Sequence, residues 1–238
     1  MNPILVFDLD ETLIRSEKSY KEGKYDIKSI IFNDRLLQLI KRAIILRGKG
    51  KIDAILLLTN NTNVSSIYNG TNDTFLNIVN MRLQEDYKMN MSDVFDIIYS
   101  AERGEPRGIK SRNYNFIPFR PYGTRVYSSA WSGTAEYNYR PRKDINTIKR
   151  MLSEIHNRNI SPDRLEDRIF FFDDETIPHV LKDELESHDG KYIQVTPPFG
   201  KGEDTTDLQS IETILTSLEK ETKGGKRYKR NKTHKKRK

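Results

Sequence analysis

The feature that most constrains this chain is a short apolar run near its start that ends abruptly in acidic residues. Residues 4–7, Ile-Leu-Val-Phe, are followed at once by Asp8 and, two positions later, by Asp10. An unbroken apolar run of this length is typical of a fully buried strand, so the carboxylates stand at its tip. Residues two apart in an extended chain point to the same side, which predicts that Asp8 and Asp10 lie close enough to share a divalent cation.

Two later apolar runs end in the same way. The run Ile-Leu-Leu-Leu breaks into Thr59 and Asn60, a hydroxyl and an amide that can hold phosphate oxygens together with the backbone N–H groups after them. The run Ile-Phe-Phe-Phe ends in Asp173 and Asp174. One strand ending in Asp or Thr is ordinary turn or helix-cap chemistry. Three such strand ends in one chain favour a shared site.

With its flanks, the stretch 8–12, Asp-Leu-Asp-Glu-Thr, resembles the first motif of the haloacid dehalogenase (HAD) superfamily of phosphohydrolases. The other two strand ends resemble its second motif and its metal-binding motif. The residues of these motifs are most similar to those of the FCP/SCP-like phosphatases and the magnesium-dependent phosphatase-1 group. The remaining motif of the superfamily is a lysine on the helix before the metal-binding strand. Lys143 is the best candidate, with Arg142 and Lys149 as alternatives.

The resemblance implies an α/β fold, a Rossmann-like three-layer sandwich with a central parallel sheet and a small cap. It also implies a Mg²⁺-dependent phosphatase in which Asp8 is the nucleophile that forms an aspartyl-phosphate. Asp10 would act as acid and then base, on a loop ordered by Thr12. The implied residues are Asp8, Asp10, Thr59 and Lys143 in catalysis, Thr12, Asn60 and Arg142 in substrate binding, and Asp8, Asp10 (through its carbonyl), Asp173 and Asp174 as metal ligands.

The segments between these motifs predict alternating helices and strands. Asn33 or Asp34 is placed to cap a helix that ends at Gly48, and a strand follows directly. This strand-helix-strand order indicates a parallel sheet. The apolar spacing predicts further helices over 62–87, 144–156, 177–185 and 208–218, and further strands over 94–99 and 191–195.

Residues 102–142 depart from any regular period and are rich in arginine and aromatic residues. Two interpretations stay open. The segment is either a substrate-selecting cap or loop, whose arginines and rings suit an anionic substrate. Or it is a small β-rich elaboration, whose aromatics pack on the body while its arginines face water.

The net charge of +7 comes from one end of the sequence. Residues 222–238 contain ten Lys or Arg and no acid, which leaves 31 basic against 34 acidic residues elsewhere. We therefore expect a phosphatase domain over 1–221 and a disordered basic segment over 222–238. Three interpretations of 223–238 stay open: binding of nucleic acid or another polyanion, nuclear import, or solubility alone. The basic Gly-Gly-Lys sequence of this segment is also similar to the C-termini of many proteins of large DNA viruses.

Composition excludes several classes of protein. Cysteine is absent, which rules out disulfides and zinc-thiolate sites. No apolar run has the length of a membrane span, so we expect no membrane partner and an intracellular location, cytoplasmic or nuclear, in the host cell if the protein is viral. The expected partner is a phosphorylated protein, a nucleotide or a nucleic-acid end. The alternative is a non-catalytic scaffold of the same fold that recruits nucleic acid through its basic segment.

Overall fold

The computed structural model describes residues 1–16, 30–59, 75–101, 116–119, 124–129, 143–156, 158–174, 180–196 and 206–224. Within these ranges the chain forms nine strands and six helices. In chain order they are β1 (Ile4–Phe7), β2 (Ile14–Ser16), β3 (Ile30–Phe32), α1 (Asp34–Arg47), β4 (Ala54–Thr59), α2 (Phe75–Tyr87), α3 (Met91–Val94), β5 (Ile97–Ala101), β6 (Phe116–Phe119), β7 (Thr124–Ser129), α4 (Ile145–Ser153), β8 (Ile169–Asp173), α5 (Val180–Glu186), β9 (Lys191–Gln194) and α6 (Gln209–Gly224).

Seven strands form a central sheet in the order β6-β7-β5-β4-β1-β8-β9, and β2 pairs with β3 as a separate antiparallel hairpin. Within the central sheet, β6 and β7 are antiparallel and all the other pairs are parallel. From β1 the chain builds outward on one side through β4 and β5, and it later returns to the other side of β1 to add β8 and β9. Ligands of open α/β sheets bind at the carboxyl ends of strands where the order reverses in this way.

Helices cover both faces of the sheet because its central strands are apolar on both faces. Along β1, Leu5 and Phe7 face a core shared with α1, α2, α3 and α6, while Ile4 and Val6 face a second core shared with α4 and α5. All four side chains are fully buried. A parallel strand buried on both faces needs an unbroken apolar run, which is what the sequence has. The chain is therefore an α/β protein with a Rossmann-like sheet between two helical layers.

Helix α1 confirms the predicted start and end. Asn33 is its N-cap, with Oδ1 accepting the Leu36 N–H at 3.2 Å, and Gly48 is its C-cap. Strands β8 and β9 also lie where the sequence predicts them. At the other end of the chain, α6 continues to Gly224. Among the described helices, none is both long enough and apolar enough to cross a membrane.

The strand predicted over 94–99 is wrong at its start. Residues 91–94 form the short helix α3 instead, and β5 begins at Ile97. The helix starts there because Asn80 of α2 accepts a hydrogen bond from the Met91 N–H at 2.7 Å. An unpaired N–H at a helix start is costly when buried, and this long-range contact removes that cost.

Two stretches of 102–142, a segment without a regular apolar period, form strands. Strand β7 pairs in parallel with β5 from Arg125, opposite Ile97, to Ser129, opposite Ala101, and β6 returns antiparallel along β7. Backbone pairing with an existing sheet edge, not an apolar period, organises these strands. The rest of this segment, the first part of the helix predicted over 62–87 and residues 225–238 lie outside the described residues.

The opposite, amino edge of the sheet is held by a buried arginine. Arg168 is 6% exposed, and its guanidinium donates to the Asn2 carbonyl at 3.1 Å and the Ser161 carbonyl at 3.2 Å and pairs with Asp53 at 2.5 Å. Asp53 also accepts from the Asn2 side chain at 2.9 Å. The planar guanidinium thus joins the start of the chain, the loop before β4 and the turn before β8.

We expect Arg168→Lys to lower the free energy of unfolding by about 1–3 kcal/mol, because an ammonium keeps the charge but cannot reach the three acceptors of the guanidinium fork. The control is Arg164→Lys, since Arg164 is exposed and pairs at the surface with Asp167. That change should cost less than about 0.5 kcal/mol. Urea unfolding measures both. If both variants lose the same free energy of unfolding, the buried contacts of Arg168 contribute no more stability than a surface ion pair.

Candidate active site

Two acidic residues meet at the carboxyl edge of the sheet because β1 and β8 pair in parallel. Phe7 lies opposite Phe172 in the register, so Asp8 follows β1 at the level where Asp173 ends β8. The Asp8 N–H donates to the Phe172 carbonyl at 2.9 Å, which continues the pairing one residue beyond β1. The two carboxylates therefore lie at the carboxyl end of the central strands, at the point where the strand order reverses.

Lys143 joins these two carboxylates. Its Nζ lies 2.7 Å from Asp173 Oδ2 and 3.2 Å from Asp8 Oδ1, and all three side chains are at most 5% exposed. The lysine directly precedes Asp144, whose side chain caps α4 by accepting the Thr147 N–H at 2.7 Å. The cap fixes where the helix begins and hence where the ammonium lies.

The structure describes two of the three sequence candidates for the lysine motif. Lys143 lies in the carboxylate cluster, whereas Lys149 pairs with Glu166 at 2.7 Å away from it. Arg142 lies outside the described residues. Lys143 therefore stays the predicted residue of this motif.

Asp174 completes a set of three carboxylates. One oxygen each from Asp8, Asp173 and Asp174 lies within 4.8 Å of the others, a spacing that a metal ion can bridge. Oδ1 of Asp8 is buried and, among the described residues, has no hydrogen bond, although it is an ion-pair partner of Lys143. An all-oxygen donor set with more carboxylates than ammonium groups suits a hard divalent cation.

The pKa values of two of these groups reflect excess negative charge. Burial raises the pKa of Asp8 well above its ordinary value, Lys143 opposes that shift, and the charges of Asp173, Asp10 and Asp174 add to it. Burial, followed by the charge of Asp173, raises the pKa of Asp174 to about 7. Without a further cation, ionisation of Asp8 and of Asp174 is therefore disfavoured.

Asp10 is carried by a tight turn that follows β1. The Leu13 N–H donates to the Leu9 carbonyl at 2.9 Å, and the Glu11 N–H donates to the Ile14 carbonyl at 2.7 Å. Glu11 has φ 53°, in the left-handed region that is unfavourable for a residue with a Cβ. Asp10 is half-buried and is not among the three clustered oxygens, but its charge acts on Asp8.

Asn33 is a site residue that the sequence marks only as a helix cap. It is fully buried, and its side-chain amide donates to the Thr12 carbonyl at 3.2 Å. Its backbone N–H donates to the Leu13 carbonyl at 2.9 Å. One residue thus attaches the turn that carries Asp10 to the start of α1. The cap pattern gives no signal for these two bonds, since they join positions 20 or more residues apart.

The structure describes two of the three remaining predicted site residues. Thr12 is fully buried, and its Oγ1 has no hydrogen bond among the described residues. Thr59 is fully buried at the end of β4, the neighbour of β1, on the same edge of the sheet. Asn60 lies outside the described residues.

We expect Asn33→Asp to loosen the turn. The carboxylate still caps α1, but it replaces the amide donor with an oxygen that faces the Thr12 carbonyl. Amide exchange at Leu13 and Ile14 should accelerate by about tenfold or more, with a stability loss of about 1–2 kcal/mol. Asp207→Ala is the control, since it removes the side chain that accepts from the Gln209 N–H at the start of α6. If both variants exchange alike at 13–14, Asn33 does not hold the turn.

The raised pKa of Asp174 predicts a pH-dependent stability in the absence of divalent cations. The folded-state pKa, about 7, lies above the unfolded value near 4, so its favourable contribution is complete below pH 4 and is lost as the pH rises through 7. Asp174→Asn should match the parent near pH 4 and exceed it by about 1–3 kcal/mol at pH 8, allowing for partial exposure. Urea unfolding in EDTA measures this difference. Asp163→Asn, at an exposed loop position, should show no such trend.

Comparison with known proteins yielded no relative: no protein-family model, no curated protein and no solved structure matches this chain. A proposed function for this chain therefore depends on the geometry of its own residues and on the resemblance of its three strand-end motifs.

Proposed function

We propose that this chain is a Mg²⁺-dependent phosphohydrolase of the HAD type, which cleaves a phosphomonoester through an aspartyl-phosphate on Asp8. The observation that carries the proposal is the buried Asp8 carboxylate at the tip of β1. Its Oδ1 has an ion pair with Lys143 but no hydrogen bond among the described residues, and two further carboxylates lie around it. Burial costs such a carboxylate free energy, and a reaction in which it attacks a phosphorus atom accounts for its position.

The donor set fits Mg²⁺. Asp8, Asp173 and Asp174 would hold the ion, with the Asp10 carbonyl as a further ligand carried over from the motif. When bound, Mg²⁺ supplies the positive charge that lets a dianionic phosphate approach these carboxylates. Because the ion favours ionised ligands, its binding would oppose the upward pKa shifts of Asp8 and Asp174.

The chemical steps are assigned to the chain's own residues. The ionised Asp8 carboxylate attacks phosphorus in line as the leaving-group oxygen departs, and Asp10 gives that oxygen a proton. Asp10 then takes a proton from a water that attacks the same phosphorus, which breaks the phosphorus–Asp8 bond and releases inorganic phosphate. Lys143, already in contact with Asp8, and the Thr59 hydroxyl would neutralise and bind the phosphoryl oxygens.

The turn that carries Asp10 suits the different roles proposed for Asp8 and Asp10. Asp10 lies in the tight turn that follows β1 and is less buried than Asp8. An acid and base has to exchange protons with solvent and substrate, whereas a nucleophile benefits from a fixed position. The substrate stays open among a phosphoprotein, a nucleotide and a nucleic-acid end, since the segment 102–142 that would select it is largely outside the described residues.

Hydrolysis of an aryl phosphate in Mg²⁺ tests the proposal. Asp8→Asn should lower kcat by at least about 10³-fold, because an amide cannot form the covalent intermediate. The matched control is Asp163→Asn, the same chemical change at an exposed loop position, and it should keep parental activity. Addition of EDTA should abolish turnover in the parent.

Two results would overturn the proposal. Full turnover by Asp8→Asn would exclude the covalent role of Asp8. Absence of turnover of aryl phosphates, phosphopeptides, nucleotides and 3′-phosphorylated oligonucleotides by a folded parent that binds Mg²⁺ would favour the non-catalytic scaffold instead. Circular dichroism and urea unfolding of each variant separate loss of chemistry from loss of fold.

A further inference from the structure

Two carboxylates hold the start of α4, one from the helix itself and one from a distant helix. Asp144 caps α4 by accepting the Thr147 N–H at 2.7 Å. The distant carboxylate belongs to Glu184 of α5, whose Oε2 accepts the Ile145 N–H at 3.0 Å, 39 positions away in the sequence. The first N–H groups of a helix have no partner inside it, so these two side chains satisfy different donors of the first turn.

The bond from Glu184 can locate α4 because α5 is anchored in the fold by its own contacts. Leu181 and Leu185 are fully buried in the core that α4 and α5 share. After α5 the chain passes Gly190, where an added Cβ would lie only 2.1 Å from the carbonyl oxygen of Glu166, in the turn before β8. Helix α5 is therefore fixed relative to β8, and Glu184 extends that attachment to the first turn of α4.

The first turn of α4 in turn determines where the Lys143 ammonium lies. Lys143 stands two residues before Ile145, and its Nζ contacts Asp173 at 2.7 Å and Asp8 at 3.2 Å. The apolar residues of α4 pack in the core, but apolar contacts have no preferred direction. A hydrogen bond holds its donor and acceptor to a narrow range of distances and angles. The bond to Ile145 therefore limits how far the helix start, and Lys143 with it, can move.

We propose that Glu184 is a positioning residue, which holds the first turn of α4 so that the Lys143 ammonium stays against Asp8. This proposal rests on the proposed function, in which that ammonium neutralises a phosphoryl oxygen. Glu184 is half-buried and its oxygen is bonded to the Ile145 N–H, so it acts through the helix and not on the substrate. A fixed charge stabilises a transition state only in the right place, and a displacement of about 1 Å can cost about 100-fold in rate.

Three substitutions of Glu184 separate the reach of its side chain from its charge. Gln keeps an oxygen acceptor at the same distance without the charge, Asp keeps the charge but is one methylene too short for the Ile145 N–H, and Ala lacks both. With an aryl phosphate and Mg²⁺, kcat of Glu184→Gln should stay within about threefold of the parent, and kcat of Glu184→Asp and Glu184→Ala should fall at least about tenfold. The control is Glu186→Ala, on the same helix, which removes a surface ion pair with Lys182 at 3.8 Å and should keep parental kcat.

Nuclear magnetic resonance tests the same proposal without turnover. Lys143 is buried and paired, so its ammonium protons should exchange slowly enough to give a proton–nitrogen correlation, which Lys143→Arg removes and thereby identifies. This signal should keep its position in Glu184→Gln and Glu186→Ala, and it should shift or disappear in Glu184→Asp and Glu184→Ala. In the last two variants, hydrogen exchange of the Ile145 amide should accelerate by at least about tenfold.

The positioning role fails on any of three results: parental kcat in Glu184→Asp, a loss in Glu184→Gln as large as in Glu184→Asp, or an unchanged Lys143 signal in Glu184→Asp. If a folded parent turns over no phosphomonoester, the proposed function fails, while the Lys143 signal still decides whether Glu184 holds the ammonium in place. Circular dichroism and urea unfolding of each variant separate displacement of Lys143 from loss of fold. If Glu184→Ala does not fold, the comparison of Gln with Asp decides alone.

Discussion

The buried contact of Lys143 with Asp8 and Asp173 is the interaction on which the rest of this structure depends. Parallel pairing of β1 with β8 places two carboxylates side by side with almost no access to solvent. Two buried negative charges at this separation would repel each other and oppose the pairing itself. The ammonium, fixed by the capped start of α4, offsets part of that repulsion and allows the strands to end in acids.

The ammonium of Lys143 offsets only part of the negative charge of the cluster, and this excess of negative charge determines what the cluster can bind. With Asp174 included, three carboxylates face one lysine, and Asp8 keeps an oxygen without a hydrogen bond among the described residues. That oxygen is compensated by its ion pair with Lys143 at 3.2 Å, and the same ammonium also pairs with Asp173. The raised pKa values of Asp8 and Asp174 express the same deficit of positive charge. Under the proposed function, a divalent cation supplies that charge when the substrate arrives.

The sequence predicts the sheet and the strand-end carboxylates well because both depend on short-range patterns. An apolar run that ends in Asp8 marks a buried strand and its tip within ten residues, and the run before Asp173 does the same. Parallel pairing then brings the tips together, whatever the intervening segments do. The cap of α1 is equally local, which is why its position could be narrowed to Asn33 or Asp34; the structure shows Asn33.

The features that sequence reasoning missed all depend on contacts between distant residues. The amide of Asn33 holds the Thr12 carbonyl, Asn80 starts α3, and Arg168 ties three segments at the amino edge. Each residue has an ordinary local role in the sequence, and nothing in its neighbours reveals the second partner. The strands β6 and β7 are a similar case, since the open edge of β5 organises them and their own apolar pattern does not.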